Sequence, residues 1–220
     1  MTLLLLSLLG GLVAVDNVSF VQAMISRPLA AGILAGAVLG DPLLGAQVGG
    51  ILELFLLVAV PAGGGRMPEG GTATVVAVAA ATAFPAPSGM ALGVAGGLIW
   101  GLVGGWTQTR LRVRNGGLAP VPGDGGVPAE RVERAVRLGL ALDFARGVVL
   151  TAVGAGLALI LTPYLAPSWP LEEIPTSALL LLGGLVSIGI VLRGAGATRR
   201  TVFLFGTGAV LGLLSGWGLA

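Results

Sequence analysis

Residues 27–69 constrain this chain more than any other stretch. They are apolar enough to lie in a bilayer, yet they carry Arg27, Asp41, Gln47 and Glu53 and are repeatedly interrupted by Gly and Pro. Polar groups at membrane depth are costly, so they face a cavity, a partner or a substrate. Gly/Pro-broken apolar segments are also the material of transporter binding sites. The stretch therefore points to transport.

Composition places the whole chain in the membrane. Of its 220 residues 55% are hydrophobic and only 10% charged, against about 25% charged in a soluble domain. Cysteine and histidine are absent. This removes disulfides, thiol chemistry, the commonest general base and the commonest transition-metal ligands. Every basic residue is an arginine. The net charge of +2 is read as a topology signal, not as a nucleic-acid surface. The N-terminal run 2–15 lacks a basic n-region and a clear cleavage site, so it is expected to be a retained apolar helix.

Apolar segments fall near 2–15, 29–40, 43–60, 72–84, 88–107, 147–166, 176–192 and 201–219. Several are shorter than the roughly 20 residues that a perpendicular span requires. Asp41-Pro42 separates one close pair, and Pro85-Ala86-Pro87 separates another. Such pairs predict broken helices or re-entrant hairpins, buried in protein or lining a watery cavity. The alternative is two long, Pro-kinked spans. The expected fold is all-α, a polytopic membrane protein with short, broken or re-entrant helices in its N-terminal half. Three regions follow: a membrane region 1–107, a loop 108–137 and a membrane region 138–220. The loop holds Arg110, Arg112, Arg114, Arg131, Arg134 and Arg137, which makes it cytoplasmic by the positive-inside rule. Arg193, Arg199 and Arg200 mark a second cytoplasmic turn, and the loop around Trp169, Glu172 and Glu173 then faces outward. Gly93, Gly97, Gly101 and Gly105, like Gly208, Gly212 and Gly216, lie four apart. Such faces let helices pack closely within the chain or against another subunit.

Glu53 lies deep in an apolar run and needs a donor. It either pairs with Arg27 or Arg66, caps a helix end, or accepts hydrogen bonds from a polar substrate. Gln47 joins it if the helix breaks at Gly49-Gly50. Asp41, between Gly40 and Pro42, has the pattern of a turn whose carboxylate caps the next helix. Arg27-Pro28 has the pattern of a helix start. Arg66 and Glu69 sit in a Gly/Pro-rich connector, 61–71, where a turn or a pairing role is expected. Asp143 and Arg146 are spaced for a local ion pair on one helix face. No catalytic constellation, phosphate-binding loop or metal cluster is present in the sequence; neither cofactor nor metal is expected.

Arg27-Pro28-Leu29, Leu39-Gly40-Asp41, Gly45, Gly49-Gly50, Leu52-Glu53-Leu54 and Pro68-Glu69 together resemble a pattern of the membrane subunit IIC of the mannose–fructose–sorbose family of the bacterial sugar phosphotransferase system. Order and spacing match over about residues 13–80; beyond that, the likeness is one of hydropathy and of the central loop. The resemblance implies a non-enzymatic subunit in the bacterial inner membrane. It would bind and translocate a sugar with a second membrane subunit, IID. The phosphoryl group would travel through soluble IIA and IIB, and the assembly would be a trimer of IIC–IID pairs in lipid. It makes Glu53 the implied sugar ligand; Gln47 is the second candidate from the residues themselves, through the helix break. Two departures stand out: an apolar run Phe55–Pro61 without an amide follows the acid, and Pro68-Glu69 replaces the usual proline–aspartate. Two other readings remain open: a non-transporting scaffold or regulatory subunit of the same fold, and a small ion-coupled secondary transporter.

Overall fold

A computed structural model describes residues 1–57, 65–84, 87–121, 126–169, 176–194, 196 and 198–217. Side chains are described through residue 208, apart from 176 and 177. Glu172, Glu173, Gly63, Gly64 and the Pro85-Ala86 junction lie outside the described residues. The fold is all-α. In chain order the helices are α1 (Thr2–Val18), α2 (Pro28–Leu39), α3 (Pro42–Leu56), α4 (Gly70–Ala83), α5 (Pro87–Gly116), α6 (Ala129–Leu165), α7 (Thr176–Gly194) and α8 (Arg199–Trp217), with a single 3₁₀ turn at Ala166–Ser168.

Helices α2, α3 and α4 have 12, 15 and 14 residues. At 1.5 Å per residue they are about 18, 22 and 21 Å long, short of the roughly 30 Å hydrocarbon core. Helices α5 and α6, of 30 and 37 residues, are long and apolar enough to cross it. Both extend into the region expected as loop: α5 runs on to Gly116, and α6 begins at Ala129 and continues unbroken into its apolar part. The reason is local. Residues 108–115 and 129–137 contain no proline, while Pro120, Pro122 and Pro128 confine the break to the Gly/Pro-rich centre.

The α2–α3 connection follows from four residues. Gly40 ends α2 in the left-handed region at φ 88°, a conformation that Gly adopts freely. The Asp41 N–H then bonds back to the Gly36 carbonyl at 2.8 Å. Asp41 caps α3 by accepting the Leu44 N–H at 2.9 Å, and Pro42 takes the first helical position. The two arms fold back on each other through small residues. A Cβ on Gly45 would lie 2.1 Å from the Gly32 carbonyl oxygen, and one on Gly36 would lie 2.4 Å from the Asp41 carbonyl oxygen. Only bare backbone fits there.

Helix α4 is the hub. It packs against α1, α2, α3, α5 and α6 and is buried nearly throughout from Gly71 to Ala81. A helix enclosed on all sides needs no polar stripe, and this one is built from Ala, Val, Thr and Gly. The glycine face of α5 serves this packing: Gly93 and Gly97 approach Ala77, Gly101 faces Ala73 and the Glu69 carbonyl, and Gly105 abuts Met67. That face is therefore occupied within the chain. Helix α1 crosses α6 where Gly10, Gly11 and Ala14 meet Gly147 and Thr151, so packing runs across the central loop. Helix α7 rests on α3, with the Ser187 hydroxyl donating to the Leu54 carbonyl. Gly208 on α8 has open space around it.

Candidate functional site

Two polar centres are built into this apolar frame. The first lies at the open end of the α2–α3 hairpin. Glu53, near the end of α3, forms an ion pair with Arg27, the residue preceding α2. Its other oxygen accepts the Leu29 N–H at 3.2 Å. The first N–H groups of a helix have no partner within it, so Glu53 caps its neighbouring arm and also meets the positive end of that arm's dipole. The side chains are 42% and 18% exposed for Arg27 and Glu53. Of the bonding modes open to Glu53, the Arg27 pair and the helix cap both occur.

Gln47 does not join this centre. Helix α3 is continuous through Gly49-Gly50, so the condition for bringing the two together is not met. Six residues of unbroken helix leave them about 120° apart around the axis, and Gln47 is exposed. Asp41 sits at the far end of the hairpin in its capping role. Arg66 is exposed and has no ion pair among the described residues.

The second centre is buried. Arg146, on α6, donates from Nη1 to Glu69 Oε2 at 2.6 Å and from Nη2 to Glu69 Oε1 at 3.1 Å. This fork-to-fork pairing is the strong geometry for guanidinium and carboxylate. The same guanidinium reaches Asp143 from Nε at 3.0 Å and the Thr107 hydroxyl of α5 from Nη1 at 3.1 Å. The Ser19 hydroxyl donates to the other Asp143 oxygen. Side-chain exposure is 10% for Arg146 and 1% for Glu69. The centre thus joins the segment after α1, the start of α4, α5 and α6. The local Asp143–Arg146 pair expected from their spacing is present, but it is one edge of a larger network.

A turn connects the two centres. Residues 19–27 begin at Ser19, bound to Asp143, and end at Arg27, bound to Glu53. Midway, the buried Asp16 carboxylate accepts the Ala23 N–H at 2.6 Å and the Ser26 N–H at 2.9 Å. Val21, Gln22 and Met24 in this turn have φ of 68°, 54° and 64°. Sequence reasoning missed Asp16, Ser19 and Thr107 as members of these networks. For Asp16 a signal existed: it is a lone carboxylate closing an apolar helix, which must find donors. Ser19 and Thr107 carry no such mark. No group of three or more metal-ligating side chains occurs among the described residues.

Apolar helices around glycine contacts, with ion pairs held inside them, define an all-α membrane protein. The sequence family described as the PTS system sorbose-specific IIC component matches residues 1–192, and the chain belongs to that family. It is accordingly a transporter subunit of a sugar phosphotransferase system. Among curated proteins, none matches the chain.

Proposed function

We propose that this chain binds a sugar and moves it across the bacterial inner membrane together with a IID subunit. Soluble IIA and IIB would supply the phosphoryl group, and IIC–IID pairs would assemble as trimers. The carrying observation is the Arg27–Glu53 centre. It lies within the pattern that marks the family, on two arms too short to span the bilayer, and its side chains remain partly exposed. Glu53 is the sugar ligand in this reading, accepting hydrogen bonds from hydroxyl groups. Glu69, buried against Arg146 at 1% exposure, is left to structure.

In this reading the topology is multi-pass, supported by α5 and α6, both long and apolar enough to span. The ends bearing Arg110, Arg112, Arg114, Arg131, Arg134 and Arg137 face the cytosol, where IIB must dock. Arg110 lies 5.0 Å from the centroid of the Trp106 ring, and this pair marks the interface level on α5. Apolar surface on α8, including Phe203 and Leu204, is available to lipid or to IID.

The test is uptake in cells expressing the chain with its neighbouring PTS subunits. Glu53→Gln should lower phosphoenolpyruvate-dependent uptake at least about tenfold, as for loss of a hydrogen bond to a charged group, with the protein still present in the membrane. Normal uptake by that variant would remove Glu53 from the site. One observation favours the second reading, a non-transporting scaffold: both Glu53 oxygens already have partners within the chain. No uptake by the wild-type chain with all its partners present would select that reading.

A further inference from the structure

We propose that Arg27 is a second sugar ligand, and that Arg27 and Glu53 together recognise two adjacent hydroxyl groups of an uncharged sugar. The inference rests on the reading of Glu53 as a ligand and adds the donor half of the site. A carboxylate oxygen can accept two hydrogen bonds, and a guanidinium carries five N–H donors. Glu53 uses one position on each oxygen. Arg27 contacts Glu53 through Nη2, its one polar side-chain contact among the described residues, and is 42% exposed. Acceptor positions and free donors thus lie side by side. A vicinal diol complements them: one hydroxyl donates to the carboxylate, and its neighbour's oxygen accepts from the guanidinium. The pair carries no net charge, so a neutral polyol leaves no charge uncompensated at membrane depth, whereas a sugar phosphate would.

The backbone before Arg27 supplies an independent observation. A long arginine side chain needs no special backbone merely to neutralise a nearby acid. Yet Arg27 closes a turn in which Val21, Gln22 and Met24 all have positive φ, a region that side chains rarely occupy, β-branched ones least of all. The buried Asp16 holds that turn through the Ala23 and Ser26 amides. Strained backbone persists where its surroundings over-determine it, and it gathers at ligand clamps. Asp16 is therefore a positioning residue for Arg27.

The experiment measures binding to the full chain, purified with its partner membrane subunit. L-Sorbose, D-fructose, D-mannose and D-glucose are the probes, followed by the single-deoxy forms of whichever binds. For the wild type, removal of either of two adjacent hydroxyls should weaken binding about 10- to 100-fold. Arg27→Gln should abolish one of these two penalties and Glu53→Gln the other. Asp16→Asn should shrink the same penalty as Arg27→Gln, which a general loss of stability would not do. Arg27→Lys keeps the ion pair but loses the planar fork; it should shrink that penalty too, and it serves if Arg27→Gln does not fold. Wild-type penalties in folded Arg27 variants, with Glu53→Gln losing one, overturn the role of Arg27 alone. Both penalties intact in Glu53→Gln, or no binding of any of the four sugars, overturn the underlying reading as well.

Discussion

Among the described residues, two arginine–glutamate pairs join separate segments of the chain, and they have opposite character. Arg146 and Glu69 meet across 77 residues of sequence, joined by two hydrogen bonds and closed off from their surroundings. Arg146 spends its remaining donors on Asp143 and Thr107. Arg27 and Glu53 lie at the start of one arm and the end of the other in a single hairpin, and most of the Arg27 donors have no partner among the described residues. Residue type therefore does not decide which pair can act on a ligand. Exposure and the occupation of the arginine's donors decide it. The buried centre ties four segments together, and the open one has bonding capacity left over.

The contrast can be broken from either side. The largest effect is expected at the buried centre. Arg146→Met leaves Glu69 and Asp143 without their cation and should destabilise the fold by about 3–5 kcal/mol. Thermal unfolding in detergent should show this as a lower midpoint or as loss of folded protein; an unchanged midpoint would mean that the buried pair is not an anchor. Next comes the hairpin packing. A Gly45→Leu side chain would enter the Gly32 backbone, and overpacking of this kind costs about 1–3 kcal/mol. Because it separates the arms that carry Arg27 and Glu53, it should also abolish sugar uptake; uptake at the wild-type level would show that the open pair does not depend on close arms. The smallest effect belongs to Asp41→Ala. Loss of its cap to Leu44 should cost about 1 kcal/mol and leave sugar affinity near the wild-type value, since it sits at the far end of the hairpin. A large loss of affinity there would extend the open centre along the whole hairpin.

Much of the fold was legible in the sequence because membrane helices reveal themselves by hydropathy and punctuation. Leu39-Gly40-Asp41-Pro42 contains its own instructions: a left-handed cap, a capping carboxylate and a first-turn proline. The extents of α5 and α6 were less legible, since arginine-rich residues form helix as readily in water as apolar ones do in lipid. Glu53 was identifiable as an acid in an apolar run in need of a donor, but Arg27, Arg66, a helix end and a substrate were all open to it, and only the packed hairpin selects Arg27 and the Leu29 amide. Gln47 depended on a break at Gly49-Gly50. Those glycines do not break the helix; Gly49 instead approaches the Pro28 carbonyl at the hairpin seam, a role that the sequence alone does not separate from a kink.

The sequence by itself determined the solvent, the helical class, the hairpin turn, the family pattern and the shortage of groups for catalysis. Each of these depends on local composition or on residues a few positions apart. Tertiary structure decided which acid meets which arginine. It paired Glu69 with Arg146 rather than with nearby Arg66, and it bound a turn of unfavourable backbone between the two centres through Asp16. The physical reason is that the free energy of a buried charge depends on what surrounds it in space. In a chain whose polar residues are few and far apart, packing brings those surroundings together.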